Sequence, residues 1–185
     1  MTVGFRRLTE PDLPLLHEWL LRDHVQSWWR ERESYDAVVG RYLPAIEGSD
    51  PTDLYLILAD DRPAGFIQTY LVSDHTDYQQ LVDVEDGVAG VDLFLADPQL
   101  TGQGLGSRAI AQFVREVVFA APETHACIAD PDAENQASLR AFEKAGFVRV
   151  RDFVDPSDDD RLHALLRVER QGESRSTTQS PPDLR

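Results

Sequence analysis

Between an apolar segment and an amphipathic one the chain runs Asp97-Pro98-Gln99-Leu100-Thr101-Gly102-Gln103-Gly104-Leu105-Gly106-Ser107, with glycine at every second position from 102 to 106. Val88-Ala89-Gly90-Val91-Asp92-Leu93-Phe94-Leu95 before it reads as a buried strand, and residues 108–119 after it carry apolar side chains at helical spacing. A glycine turn from strand into helix lets backbone N–H groups converge at the positive end of the helix, so phosphate is the expected ligand. The spacing is neither the Gly-x-x-x-x-Gly-Lys-Ser/Thr of nucleotide hydrolases nor the Gly-x-Gly-x-x-Gly of dinucleotide-binding folds. Taken alone, it is equally a glycine-rich turn with no ligand.

The flanking elements narrow the choice. Phe5 to Leu8 reads as a first strand, and Thr9-Glu10-Pro11-Asp12 combines a capping hydroxyl, an early proline and acidic first-turn residues. The helix that follows has Leu13, Leu16, Trp19 and Leu20 as its apolar stripe, with His17 on a solvated flank. Ser34 caps a second helix through Val38, Val39, Tyr42 and Leu43. Strands at 54–59 and 64–71, joined by Asp60-Asp61-Arg62-Pro63, form an antiparallel hairpin. Residues 73–87 read as a polar, acidic loop, long enough to be functional. A strand at 125–129, a helix at 135–145 stopped by Gly146, and strands at 147–154 and 162–168 complete a mixed α/β order. One domain is expected over 1–170, with a disordered tail at 171–185 that is rich in Ser, Thr, Gln and Pro.

Charge and cysteine content bear on partners. Thirty-three acidic against eighteen basic residues give a net charge of −15, which opposes nucleic acid and anionic membrane surfaces and favours a cationic partner. Solubility accounts for such a charge equally well. The single cysteine, Cys127, rules out an internal disulfide and a cysteine-cluster zinc site, and no metal is expected. No apolar stretch approaches membrane-spanning length and the N-terminus lacks a signal-peptide pattern, so the expected location is cytoplasmic.

The strand, the glycine turn with its helix, and then Asn135 with Phe142-Glu143-Lys144-Ala145-Gly146-Phe147 together resemble the acetyl-CoA-binding core of the GNAT N-acetyltransferases. Five further blocks resemble the aminoglycoside 6′-N-acetyltransferases within that family. They are His24-Val25-Gln26-Ser27-Trp28-Trp29, Arg41-Tyr42-Leu43-Pro44, Gly65-Phe66-Ile67-Gln68-Thr69-Tyr70, Gly90 to Leu95, and Ile128-Ala129-Asp130-Pro131. The resemblance implies an α/β (α+β) fold, with a mixed central sheet of six to seven strands flanked by about four helices. It also implies acetyl transfer from acetyl-CoA to the 6′-amine of a small polycationic antibiotic, and a monomer or homodimer is expected. Transfer to another amine, such as a polyamine, a siderophore precursor or a peptide N-terminus, and a non-catalytic module that binds acetyl-CoA or the drug are the other readings.

Residue by residue, the resemblance assigns the cofactor to Leu93, Phe94 and Leu95 on the strand and to Thr101, Gly102, Gln103, Gly104, Leu105, Gly106 and Ser107 in the turn. Thr101 stands where many relatives carry arginine or glutamine. Asn135 either helps hold the cofactor or caps its helix, and the two roles can coexist. Asp92 is the expected general base: an ammonium must lose a proton before it can attack a thioester, and burial raises a carboxylate's pKa into a useful range. A structural aspartate pairing a buried backbone or arginine group is the other reading. Trp28, Trp29, Tyr42 and Tyr78 offer flat walls to sugar rings, and Asp77, Asp92 and Asp130 offer charge to ammonium groups. Because Trp28 and Trp29 are adjacent, at most one is expected to face the site. Phe142 departs from the family's tyrosine, whose hydroxyl protonates the departing thiolate.

Overall fold

The computed structural model describes residues 1–171; the tail expected from 171 onward lies, beyond Gln171, outside the described residues. The strands are β1 (Val3–Arg7), β2 (Asp53–Ala59), β3 (Arg62–Leu71), β4 (Val88–Leu95), β5 (Ala126–Ala129), β6 (Val148–Asp155) and β7 (Arg161–Glu169). They form one sheet in the order β1-β2-β3-β4-β5-β7-β6, antiparallel throughout except for the parallel pair β4–β5. The helices are α1 (Leu13–Leu20), α2 (Asp23–Trp29), α3 (Tyr35–Ile46), α4 (Thr76–Val82), α5 (Leu105–Glu116) and α6 (Gln136–Lys144). The expected mixed α/β sheet is therefore present with seven strands. Six helices flank it among the described residues; α2 and α4, of seven residues each, are the ones that residue spacing did not reveal.

Local chemistry sets the element boundaries. Helix α5 starts at Leu105, three residues before the segment whose spacing reads as helical, because Gly104 at φ +79° serves as its N-cap in a left-handed conformation open to glycine. The β2–β3 turn is shorter than the sequence suggests: Asp60 and Asp61 alone make it, at φ 47° and 62°, so β3 begins at Arg62. Asn135 caps α6 by accepting the Ser138 N–H at 3.1 Å. At its other end Gly146, φ +99°, lets the Phe147 N–H reach the Phe142 carbonyl at 3.1 Å and its own N–H reach Glu143 at 3.0 Å. His17 is not solvated as expected; the ring is half-buried, 3.1 Å from the Glu33 carbonyl and edge-on to Tyr35.

Alternation along the strands divides the core between the two faces of the sheet. Ile57, Ile67, Val91 and Cys127 face α5 and α6, where fully buried Phe113 meets Phe5 and Tyr55 edge-on at 5.0 and 5.2 Å. Truncating Phe113 to alanine would cost about 3–5 kcal/mol. Leu54, Leu56, Phe66 and Phe94 point to the other face, beneath α1 and α3. Farther along that face, Val88, Ala126 and Ile128 pack beneath Val82 of α4. Register puts Gln68 opposite Asp92 and Tyr70 opposite Gly90 between these two covered patches, so a polar stripe interrupts an otherwise apolar face.

One topological detail opens the sheet. The β4–β5 pairing spans only Val88 to Gly90 against Ala126 to Ile128, although β4 continues to Leu95. The strands then part, leaving the β5-facing edge of β4 without a strand partner.

Candidate active site

A cleft of ≈ 770 Å³ passes through this parting. One wall is built by residues 91–95 of β4 and by the glycine turn; the other by Ala129 at the end of β5, the three residues that follow it, and α6. Thr101, Gly102, Gly104, Gly106 and Ser107 line it, as do Leu93, Phe94, Leu95 and Asn135. Gln103 and Leu105 do not: the Gln103 amide donates to the Gln99 carbonyl and the Leu105 side chain is in the core, so only their backbone could serve a ligand. Asn135 spends its side-chain oxygen on the helix cap, which leaves its amide N–H₂ for the cleft.

The three glycines do different things. Gly102 and Gly104 have φ of +81° and +79° with nothing within 4 Å of where a Cβ would stand, so conformation rather than crowding requires them. Gly106 lies inside α5, where a Cβ would sit 3.7 Å from the Ala141 Cβ in ordinary contact. The first N–H groups of α5 have no acceptor within the helix and lie at its positive end. A bare, open turn delivering them suits a pyrophosphate, and the unpaired edge of β4 suits an extended, amide-bearing arm, so these residues fit coenzyme A.

A second cavity of ≈ 320 Å³ lies on the polar stripe, bounded by Tyr42, Asp50, Gln68, Tyr70, His75 and Tyr78. Asp92 and Glu31 line both cavities, so the two meet at this pair of residues. Gln68 donates to Asp92 through Nε2 at 2.9 Å. Burial first, and the charge of Asp130 second, raise the Asp92 pKa to about 7, against the lowering effects of Gln68 and Tyr70. Gly90 is what admits Tyr70 here, because a Cβ at 90 would lie 2.5 Å from the tyrosine ring. Tyr78 closes the floor by donating its hydroxyl to Asp130 at 2.7 Å. Glu31 accepts from the Tyr42 hydroxyl at 2.9 Å and pairs with Arg41 at 2.8 Å; burial holds its pKa above the usual carboxylate value.

The structure gathers most of the side chains singled out from sequence. Trp28, 43% exposed, stands on the rim of the cleft. Trp29 packs edge-on against Phe66 and Phe94 at 5.8 and 5.1 Å and still touches the cleft, so both tryptophans line it, one as rim and one as core. Tyr42 is at once core and cavity wall. Asp130 lines the cleft and Tyr78 the smaller cavity. Asp77 stands apart, exposed on the first turn of α4 and outside both cavities. One residue is a rotation of about 100° on a helix, so the turn that sends Tyr78 inward sends Asp77 outward. Cys127 is fully buried, and burial together with the Asp92 charge pushes its thiol well above the ordinary value, so it offers no thiolate.

Sequence reasoning had not singled out Glu31, Gln68, Tyr70, His75 and Asp50. For Gln68 and Tyr70 a signal existed: polar groups two apart in an apolar strand share one face, and Gly90 across from Tyr70 marks where a ring must lie over the backbone.

A parted β4–β5 pair with a glycine turn leading into α5 defines an acyl-CoA-binding acetyltransferase. The chain belongs to the GNAT acetyltransferase family, matching the Acetyltransferase (GNAT) domain over residues 9–154. It is 32% identical over 158 residues to an aminoglycoside N(6′)-acetyltransferase type 1 of Klebsiella pneumoniae, covering 84% of this chain and 78% of that protein. Among solved structures it resembles aminoglycoside acetyltransferase AAC(6′)-Ib bound to paromomycin and acetyl-CoA, with TM-score 0.84, 30% identity and coverage of 97% and 100%. The same enzyme with coenzyme A and kanamycin gives TM-score 0.82 at 31% identity, covering 91% of this chain and 95% of that one. Among the described residues, no helix is long and apolar enough to cross a membrane.

Proposed function

We propose that this chain transfers the acetyl group of acetyl-CoA to the 6′-amine of aminoglycosides, by direct attack in a ternary complex. The observation that carries the reading is the meeting of the two cavities at Asp92. Acetyl-CoA, held by the β4 edge, the glycine turn and Asn135, supplies an acetyl thioester when bound. The acceptor lies on the polar stripe, where the Asp92 carboxylate first pairs with the ammonium and then takes its proton, so that a neutral amine faces the cleft. A pKa raised to about 7 suits that exchange near neutral pH. The hydrogen-bond partner of Asp92 is the neutral Gln68 rather than an arginine, which favours a base over a structural ion pair. Glu31, Asp50 and Asp130 supply further negative charge for a polycation, and Trp28, Tyr42 and Tyr78 supply flat walls. Asp77 would contribute only from outside the cavities. Cys127, buried as the neutral thiol, does not supply an acyl-enzyme nucleophile.

Release of CoA thiol is the direct assay. Kanamycin, which carries a 6′-amine, should give saturable turnover, whereas paromomycin, which carries a hydroxyl there, should bind without turnover. Equal turnover on both, or turnover confined to polyamines or peptides, would overturn the assignment.

A further inference from the structure

Beyond β5 a cluster of acidic and basic side chains adjoins the cleft, with Asp130, Asp132 and His163 lining it. Asp132, only 7% exposed, accepts the Glu134 N–H at 2.8 Å, Arg30 Nη2 at 2.9 Å and Arg161 Nη1 at 3.1 Å. Asp158 receives Arg30 Nη1 on both oxygens, at 2.6 and 2.7 Å, and stands 3.0 Å from His163 Nε2. His163 Nδ1 lies 2.6 Å from the Asp130 carbonyl and 3.5 Å from its carboxylate. These contacts, the Asp130 side chain foremost, raise the His163 pKa to about 9 and keep it cationic at neutral pH. Arg30, Arg161 and His163 therefore stand against Asp130, Asp132, Asp155 and Asp158, three cations to four carboxylates. In the smaller cavity Arg41 alone stands against Glu31, Asp50 and Asp92.

Arg30 is the member that comes from across the cleft. It ends α2, whose Trp29 packs on the β4 side, yet both of its partners lie beyond β5, before α6 and in the β6–β7 turn. Its backbone sits at φ 57°, the left-handed region that favours glycine at a helix end. A side chain that reaches from the end of α2 to two carboxylates beyond β5, one nitrogen on both oxygens of Asp158 and the other on Asp132, which lines the cleft, takes the place that a ligand cation would take.

We propose that Arg30 is a specificity determinant, a built-in guanidinium that occupies the Asp132–Asp158 subsite and confines an incoming polycation to the Asp92 side. The proposal rests on the acceptor being a polycation, as in the function above, and makes affinity for it a competition with the chain's own arginine. Because glycine relieves the left-handed backbone, Arg30→Gly removes the cation with the best prospect of keeping the fold, and a melting curve checks this.

Calorimetric titration with kanamycin, and separately with spermine, in the absence of acetyl-CoA tests the idea. In Arg30→Gly the Kd for kanamycin should fall roughly 3- to 10-fold at low ionic strength, and the gain should shrink above roughly 0.3 M salt. Arg30→Lys, which keeps the charge, should stay near the parent value. In turnover the KM should fall by more than kcat changes. A folded Arg30→Gly protein with unchanged or weaker binding of both cations would overturn the proposal and leave Arg30 as a strut, and so would absence of binding in both proteins. Tighter kanamycin binding without thiol release would support the role of Arg30 while sinking the acetyl-transfer reading.

Discussion

The two arms of the site are made in opposite ways. The proposed coenzyme arm is a contiguous run, residues 101–107, joined to one edge of β4, and what it offers is mainly backbone N–H groups. The proposed acceptor arm is assembled from side chains on α3, β3, α4 and β4 and from the segments after α2 and β5. Backbone recognition depends on φ values and on where a helix begins, so it survives a change such as threonine at 101. Side-chain recognition depends on register, because a slip of one residue in β3 would move Gln68 and Tyr70 to the opposite face.

The sharpest way to break that contrast is Asp92→Asn, which should cost roughly 10²–10⁴ in turnover while leaving the Kd for acetyl-CoA within about twofold. A matching loss of acetyl-CoA affinity would show that the arms are not separable at their junction. The pH profile carries the same point. Asp92 must be ionised to accept a proton, and its pKa is raised to about 7, so kcat/KM should rise with pH through 7 and fall away below it. Stability runs the other way. A carboxyl whose folded pKa lies above its unfolded value takes up a proton on folding, so stability at this site is greatest below the unfolded pKa near ~4 and declines as pH rises to about 7. Asparagine avoids that penalty, so the inactive variant should be more stable to unfolding than the parent at pH 8, by up to about 2–4 kcal/mol and with a higher melting temperature, and should lose the advantage near pH 4. A lower melting temperature at pH 8 would mean that the carboxylate is structural.

Gly104→Val attacks the other arm alone. A β-branched residue at φ +79° is strained whatever the space around it, and reshaping the turn misdirects the first N–H groups of α5. The Kd for acetyl-CoA should rise about tenfold or more, with kanamycin binding within about twofold of the parent. The same change at Gly106 should be milder, since that residue is helical and a Cβ there meets only ordinary contacts. Equal losses at 104 and 106 would mean that crowding by the ligand, and not backbone conformation, selects these glycines.

What sequence could and could not reveal follows the same division. The glycine turn, the strand before it, the Asn135 cap and the Gly146 stop are local, and each was readable from a few residues. Register and the parting of β4 from β5 are long-range, and no spacing along the chain encodes them. Helix α4 lies in a segment whose spacing predicts a loop, because its seven residues bury only Val82 and have no side-chain cap. Packing of Tyr78 and Leu81 on the sheet holds it in place. Tyr78 and Asp77 are both expected at the site, and the helical turn sends only Tyr78 inward. Asp92 was legible because a carboxylate inside an apolar strand is conspicuous. Glu31 was not, since nothing local distinguishes it from Glu33 in Arg30-Glu31-Arg32-Glu33.

Phe142→Tyr gives the smallest effect and the finest test, because it adds a side-chain role to the backbone arm. Phe142 is 2% exposed on α6, edge-on to Phe147 at 5.0 Å, and it lines the coenzyme cleft. A phenol there could donate a proton to the thiolate expelled from the coenzyme. A general acid is commonly worth 10²–10⁴, but its value shrinks as the leaving group improves, and a thiol with a pKa near ~8.5 leaves readily as the anion and can be protonated by water. Single-turnover rates in Phe142→Tyr should therefore rise by only about two- to fivefold, with the Kd for acetyl-CoA nearly constant. A gain near a hundredfold would show that the parent lacks a side-chain function its coenzyme arm needs. A fall in rate together with weaker acetyl-CoA binding would show that the added hydroxyl cannot be seated against Phe147, and that packing rather than chemistry keeps phenylalanine at this position.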